Sequence, residues 1–135
     1  MGTCIQGYGL QYDGNNDMLP LTHPEIIEEI HKAYVDAGAD IIETCSFGAN
    51  AISQAGYNAQ DKVSDMCHAA AKCARKAADN ADRKVWVAGS MGPTDKSLTI
   101  IEMMMDPAET VTRESMKQAY KEQAIALIEG GVDLL

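Results

Sequence analysis

A short pattern that occurs twice in the chain constrains the fold more than any other feature. Ala37-Gly38-Ala39-Asp40-Ile41-Ile42 and Gly130-Gly131-Val132-Asp133-Leu134-Leu135 each follow a helix-like stretch and lead through glycine and aspartate into an apolar segment. Gly38 is placed to end the first of these helices in the left-handed conformation. Helices of about a dozen residues or more that alternate with short apolar strands predict a parallel sheet with right-handed crossovers. The repeat therefore predicts an α/β fold made of βα units.

Apolar periodicity places the other elements around this repeat. Thr22 can cap a helix in which Pro24 occupies the first turn and Glu25 completes a capping box. Thr112 can cap a later helix that has Glu114 in its first turn. The spacing predicts helices at about 24–37, 59–81 and 112–128, strands at 41–42, 85–88 and 132–135, and irregular segments at 1–20 and 94–110.

The same spacing predicts which face of each helix is buried. We expect His31 to lie off the apolar stripe, at the surface or between helices. The predicted core positions are Ile26, Ile27, Ile30, Ala33, Tyr34 and Ala37 in the first helix, Val63, Met66, Ala70, Cys73, Ala74 and Ala77 in the second, and Met116, Ala119, Tyr120, Gln123, Ala124, Leu127 and Ile128 in the third.

Two architectures are compatible with this alternation. A (β/α)8 barrel needs roughly 250 residues, so the 135 residues here could supply about half of one. A small doubly wound sheet is the other option, and it normally has a glycine-rich phosphate turn directly after its first strand. The Gly7-Tyr8-Gly9 segment has no strand before it and no helix straight after it. The glycine-rich start is better explained as a loop whose preceding strand is missing.

Composition excludes several classes of partner. Apolar residues make up 46% of the chain, enough for a core, and the net charge of −9 argues against nucleic acid or an anionic membrane surface as a partner. The sequence has no apolar run near the ~20 residues of a membrane span and no secretory signal at its start. We therefore expect a cytoplasmic protein.

Neither the cysteines nor the histidines have the spacing of a metal site. The four cysteines form no C-x-x-C pair, and in a reducing cytosol we expect all of them to be free thiols. The histidines have no neighbouring ligands in a zinc-like arrangement. The cysteines are Cys4, Cys45, Cys67 and Cys73, and the histidines are His23, His31 and His68.

Three segments can carry chemistry, because ligands of parallel α/β proteins bind at the C-terminal ends of the strands. These segments are the N-terminal glycine loop, Glu43–Phe47 and Gly89–Pro93. Hydroxyl groups, a carboxylate and exposed backbone N–H groups together suit a small zwitterion. In the alternative reading, Thr44 and Ser46 cap the next helix and Glu43 faces solvent. The pattern alone indicates part of a soluble α/β enzyme that binds a small molecule.

Several ordered motifs resemble one known family. They closely resemble the N-terminal homocysteine-binding domain of cobalamin-dependent methionine synthases, and the match extends over essentially all 135 residues. The motifs are Met1-Gly2-Thr3-Cys4-Ile5-Gln6, Gly14-Asn15-Asn16-Asp17-Met18-Leu19, the helix from Pro24, Ala37-Gly38-Ala39-Asp40-Ile41-Ile42-Glu43-Thr44, Ala88-Gly89-Ser90-Met91-Gly92-Pro93-Thr94 and Glu129-Gly130-Gly131-Val132-Asp133-Leu134-Leu135.

This resemblance implies the N-terminal half of a (β/α)8 barrel, with residues 1–135 a partial domain truncated at both ends. In the family, three cysteine thiolates hold a zinc ion that binds the homocysteine sulfur and lowers its pKa. The thiolate takes a methyl group from methylcobalamin, which other domains recharge from 5-methyltetrahydrofolate. The resemblance assigns the zinc cysteines to the missing C-terminal half, since none of the four cysteines here matches them.

The resemblance also implies which residues contact homocysteine. Gly2 and Thr3 would lie in the loop whose backbone receives the carboxylate. Thr44 and Phe47 would line the pocket at the second barrel strand and Gly89 and Ser90 at the third, with Glu43 and Ser46 beside them. The family's aspartate before the N-terminal glycines and its glutamate shortly after position 135 fall outside the chain. Cys45 stands where the family pattern has asparagine.

Further expectations concern the isolated chain and its alternatives. We expect no turnover, because the zinc ligands are absent, and self-association through open sheet edges and an exposed barrel interior. One alternative is a cobalamin-independent homocysteine methyltransferase that uses betaine or S-methylmethionine. The other is a non-catalytic α/β binding module that is complete at 135 residues.

Overall fold

Two short parallel strands form the centre of the fold. The computed structural model describes residues 1–96, 98 and 111–135. Strand β1 (Ile41–Glu43) pairs in parallel with β2 (Trp86–Ala88), and Ala88 forms a parallel bridge with Leu134. The three segments therefore lie side by side in chain order, as the repeated pattern predicts. The third strand is shorter than expected, since this bridge is its only pairing within the described residues.

Helices connect and cover these strands. No helix among the described residues is both long and apolar enough to cross a membrane. The predicted loop at 94–110 falls largely outside the described residues, and so do the methionines at 103–105. The helices are α1 (Gly2–Gln6), α2 (Leu19–Thr22), α3 (Pro24–Asp36), α4 (Ala51–Ala55), α5 (Val63–Asp79) and α6 (Arg113–Glu129), with 3-10 turns at Asn16–Met18 and Gln60–Lys62.

The prediction of an irregular N-terminal segment is wrong in part. Residues 2–6 form α1, and residues 16–22 form a 3-10 turn followed by α2. Ile5 and Leu19 are fully buried in one cluster with Ile27 and Ile30 of α3. Burial of these apolar side chains stabilises the two short helices, although Gly2 in α1 disfavours helix.

Three of the four helix ends predicted from the sequence are confirmed, and one is wrong. Gly38 has φ +101° and Gly131 has φ +96°, as left-handed ends require. Thr112 caps α6, because its side chain accepts the Ser115 N–H. The capping box predicted at Thr22 is wrong. Thr22 is the last residue of α2 and its hydroxyl donates to the Met18 carbonyl, so α3 begins after His23 without a side-chain cap.

Helix α5 buries the face that its spacing predicts, whereas α3 is rotated from its predicted orientation. All six predicted core positions of α5 are buried. On α3, Ala33, Tyr34 and Ala37 are exposed, while His31 and Val35 are buried. On this buried row, Val35 is clustered with alanines of α5, and Ile27 is clustered with Cys73 of the same helix. In α6, Ile128 is exposed and Ala126 is buried instead.

The two faces of the sheet differ in their cover. Ile42 and Val87 are buried under α3 and α5. On the opposite face, Ile41 is 53% exposed and Trp86 is 47% exposed. Side chains of adjacent residues in a strand point to opposite faces, so one face of the sheet presents apolar side chains to solvent.

Candidate functional site

A cavity of about 550 Å³ opens at the C-terminal end of β1. Thr3, which is exposed, and Gly89 are the two predicted site residues that do not line it. A Cβ on Gly89 would lie 2.8 Å from the Leu135 side chain, so this glycine permits close packing below the site. Six of the eight residues singled out from the sequence line the cavity: Gly2, Glu43, Thr44, Ser46, Phe47 and Ser90.

The hydroxyl groups of Thr44 and Ser46 are engaged in a closed cycle of hydrogen bonds with Ser90. The Ser90 N–H donates to Thr44 Oγ1 at 2.9 Å, and Ser46 Oγ donates to the Ser90 carbonyl at 2.8 Å. Thr44 Oγ1 and Ser46 Oγ are 2.7 Å apart. Because Ser46 uses its only hydroxyl proton on Ser90, Thr44 donates to Ser46. The cycle ties the ends of β1 and β2 together and leaves neither hydroxyl proton free for a ligand.

The alternative that Thr44 and Ser46 cap the next helix is wrong. Asn50 is the N-cap of α4, and its Oδ1 accepts the Ser53 N–H at 2.9 Å. The segment between β1 and α4 instead forms turns beside the cavity, in which the Ala49 N–H donates to the Ser46 carbonyl at 3.1 Å. Its hydroxyl groups fix the strand ends rather than start a helix.

Glu43 and Ser90 provide polar groups that a ligand can reach. The Ser90 hydroxyl donates to Glu43 Oε2 at 3.1 Å, and the Glu43 side chain is exposed at the cavity. A carboxylate has acceptor capacity for further donors after one such bond. This pair can therefore accept a hydrogen bond from an ammonium group in the cavity.

Phe47 forms an aromatic wall between this cavity and a neighbouring hollow. Its side chain is 60% exposed. Its carbonyl accepts the Gly92 N–H at 2.8 Å. The next residue, Gly48, donates its N–H to Asp17 Oδ1 at 3.2 Å. Residues from two other parts of the chain therefore fix the backbone of this wall.

Asp17 is a site residue that the sequence interpretation missed. It lines both hollows and accepts hydrogen bonds from Gly48 and, at 3.4 Å, from Gln54 Nε2. Burial raises the pKa of its carboxyl from 3.8 to about 6, against a smaller opposing effect of the Gly48 N–H. The sequence shows Asn15-Asn16-Asp17 only as turn chemistry, and nothing in its spacing indicates burial.

His31 is a second residue at the cavity that the sequence placed elsewhere. It is 1% exposed and lines the cavity, and its Nε2 has no hydrogen-bond partner among the described residues. Burial lowers the pKa of the imidazole from 6.5 to about 4, and the positive charge of the N-terminal amino group lowers it further in the same direction. The ring is therefore neutral at physiological pH.

The cysteines are free thiols. Burial raises the pKa of the Cys45 and Cys67 thiols to about 12 and that of Cys73 to about 11. Cys45 lines the cavity and donates to the Asn16 carbonyl through Sγ at 3.4 Å. The described residues contain no group of three or more potential ligands that could hold a metal ion.

Comparison with solved structures defines the class of fold. The chain is similar to the homocysteine methyltransferase MmuM from Escherichia coli in its oxidized and metallated forms, each with a TM-score of 0.73 and 25% identity. The match covers 99% of this chain and 49% or 50% of those chains. The apo form matches with a TM-score of 0.64. The fold is thus an α/β arrangement of parallel strands that corresponds to about half of a homocysteine methyltransferase TIM barrel.

The family model for homocysteine S-methyltransferases matches residues 1–135. The chain therefore belongs to the homocysteine S-methyltransferase family. It spans about half the length of the solved structures that it resembles.

Proposed function

We propose that residues 1–135 form the N-terminal part of a barrel domain that transfers a methyl group to homocysteine, and that the cavity beside β1 holds the amino acid. The observation that carries this proposal is the convergence of Gly2, Glu43, Phe47 and Ser90 on one cavity in a member of the family. The polar groups at the cavity suit a small zwitterion.

Each residue then has a defined role. The Glu43 carboxylate, oriented by the Ser90 hydroxyl, accepts a hydrogen bond from the substrate ammonium. The backbone at Gly2, which lines the cavity, receives the carboxylate, and the Phe47 ring contacts the methylene groups. Thr44 and Ser46 act through the hydrogen-bond cycle with Ser90, which fixes the strand ends, and Gly89 allows those ends to pack closely.

The described residues do not fit a zinc site, because they contain no group of three or more potential ligands that could hold a metal ion. We therefore assign the zinc ion that activates the homocysteine sulfur to residues outside this chain. The chain's own contribution is to bind and orient the amino acid. For the same reason, we expect the isolated chain to bind homocysteine without turnover.

For the methyl donor, we propose methylcobalamin recharged from 5-methyltetrahydrofolate, through other domains of a methionine synthase. The ordered motifs from the N-terminal glycines to Leu135 resemble the homocysteine-binding domain of cobalamin-dependent methionine synthases, and this resemblance supports this donor. A cobalamin-independent reaction is the second candidate, and the similarity to MmuM supports it. Donor assays on the whole protein decide between them: methylcobalamin serves as donor in the first case, and betaine or S-methylmethionine in the second.

Calorimetric titration of the chain with L-homocysteine under reducing conditions tests the proposed site. We expect Glu43→Gln to weaken binding about tenfold, because a charged hydrogen bond becomes a neutral one. Glu114→Gln, at the exposed start of α6, is the matched control and should leave affinity unchanged. No binding by the unmodified chain, or equal loss in both variants, would contradict the proposal.

A methyl-transfer assay on the isolated chain with zinc and each donor tests the expected inactivity. Turnover above the rate without protein would show that the described residues are sufficient for the reaction. The whole protein serves as the positive control in the same assay.

We also propose that the isolated chain self-associates through the exposed sheet face. Ile41 and Trp86 present apolar surface there. Sedimentation of the unmodified chain should show oligomers that diminish in Trp86→Lys. Tyr57→Lys is the matched control, since Tyr57 is 45% exposed on the α4 side. A monomer at all concentrations would contradict this proposal.

A further inference from the structure

Gly92 lies directly against the ring of Phe47. A Cβ built on Gly92 would be 2.5 Å from Cδ1 and 2.6 Å from Cζ of that ring. Carbon atoms in contact are normally about 3.5–4.0 Å apart. No side chain therefore fits at position 92 while the ring stays in its place. The ring packs directly against the backbone of Gly92.

Hydrogen bonds hold Gly92 in this position from both sides. Its N–H donates to the Phe47 carbonyl at 2.8 Å, and its carbonyl accepts the Tyr120 hydroxyl at 3.1 Å. Tyr120 belongs to α6, so the contact joins the cavity wall to a helix far along the chain. Gly92 thus fixes the Phe47 backbone through a hydrogen bond and the position of the Phe47 ring through direct contact.

The backbone conformation does not itself require glycine here. The positive-φ glycines of the described residues are Gly9, Gly14, Gly38 and Gly131, and Gly92 is not among them. Alanine can therefore adopt the backbone of position 92 without strain in φ. The Phe47 ring is the group that excludes a side chain.

We propose that Gly92 is a positioning residue of the homocysteine site, where its missing side chain lets the Phe47 ring form the cavity wall. This inference deepens the proposed function and rests on it. A methyl group at position 92 displaces the ring by about 1 Å, the difference between the distances above and normal contact. The ring lines the cavity, so its displacement changes the shape of the space next to the substrate.

Gly92→Ala tests the inference, and Gly56→Ala is its matched control. A Cβ on Gly56 would meet Ser53 O at 3.6 Å, an ordinary contact, and Gly56 does not line the cavity. Phe47→Leu provides a background that lacks the ring. Because the two residues act through one contact, Gly92→Ala should have little effect in that background.

Two measurements on these variants separate ring position from binding. Titration with L-homocysteine should give a dissociation constant about tenfold higher for Gly92→Ala and within about twofold of the unmodified chain for Gly56→Ala. The same Gly92→Ala change should alter affinity less than about twofold on the Phe47→Leu background. Phe47 is the single phenylalanine of the chain, so ring-labelled phenylalanine gives one assignable set of NMR signals. Those signals should shift in Gly92→Ala and stay in place in Gly56→Ala.

The outcomes distinguish this inference from the proposed function. Unchanged affinity in Gly92→Ala, or an equal loss on the Phe47→Leu background, overturns the positioning role while homocysteine binding stands. Unshifted ring signals in Gly92→Ala overturn it as well, even if affinity falls. Absence of homocysteine binding by the unmodified chain, under conditions where its ring signals show a folded state, rejects the proposed function and this role together.

Discussion

Gln123 donates from Nε2 to the Ser46 carbonyl at 2.7 Å, and its side chain is completely buried. The bond joins the middle of α6 to the segment between β1 and α4. Gln123 Oε1, in contrast, has no partner among the described residues. One amide thus supplies one satisfied and one unsatisfied polar atom in the core below the site.

Substitution of Gln123 should show how the hydrogen bond from Nε2 and the unpaired Oε1 together affect the free energy of unfolding. We expect Gln123→Leu to lower the free energy of unfolding by about 1 kcal/mol, because the lost donor is partly offset by removal of the unpaired oxygen. Gln123→Glu should be more destabilising, since it places a carboxylate against a carbonyl in the core. Urea unfolding at pH 7 measures both. Gln118→Leu, on the exposed side of α6, is the control and should change stability by less than about 0.5 kcal/mol.

Much of the architecture could be predicted from the sequence because it depends on local chemistry. Gly38 must adopt positive φ to end α3, and Thr112 caps α6 with a side chain three residues from its partner. The strand order follows from the repeated pattern. Sequence periodicity and the family resemblance also placed Glu43 and Phe47 at a strand end, where the cavity lies.

The remaining features depend on contacts between segments far apart in the chain. Nothing near Ser46 indicates that its proton goes to the Ser90 carbonyl, and this bond decides that the hydroxyl is not free for a ligand. His31 was misplaced because two helical rows were possible on α3, and the row that includes it is the one whose Ile27 and Val35 are clustered with residues of α5. Asp17 is buried through Gly48, in a separate segment.

The raised pKa of Asp17 predicts a stability change with pH. Its carboxyl has a pKa of about 6 in the folded chain against an ordinary value of 3.8. The folded state therefore binds more protons at this carboxyl between these values, and the contribution of Asp17 to the free energy of unfolding falls by up to ~3 kcal/mol as pH rises from about 4 to 6. Asp17→Asn should remove this contribution and leave the opposing one of His31, so that stability falls on acidification, as measured by urea unfolding across that range. Asp61→Asn, at an exposed position, is the control and should retain the contribution of Asp17.

His31 should produce a dependence of opposite sign. The pKa of its imidazole is about 4 in the folded chain against 6.5 ordinarily, so the unfolded state binds more protons between these values. The free energy of unfolding therefore falls as pH drops from about 6.5 to 4, which opposes the effect of Asp17. His31→Gln should expose the Asp17 effect alone, so that stability rises on acidification. A stability that still falls on acidification in His31→Gln would contradict the assignment.

The burial of three thiols predicts an order of chemical modification. Cys45, Cys67 and Cys73 are buried with raised pKa values, whereas Cys4 is partly exposed and its Sγ lies 3.6 Å from the Tyr34 hydroxyl. Alkylation requires access and the thiolate. Iodoacetamide at pH 8 should therefore modify Cys4 first, and the other three only as the chain unfolds, which mass spectrometry of tryptic peptides measures. Addition of urea above the unfolding midpoint is the control, and it should bring the rates of all four together. Modification of Cys45 as fast as Cys4 in the folded chain would contradict this prediction. It would show that reagent reaches Cys45 from the cavity and that its thiolate forms more readily than its burial implies.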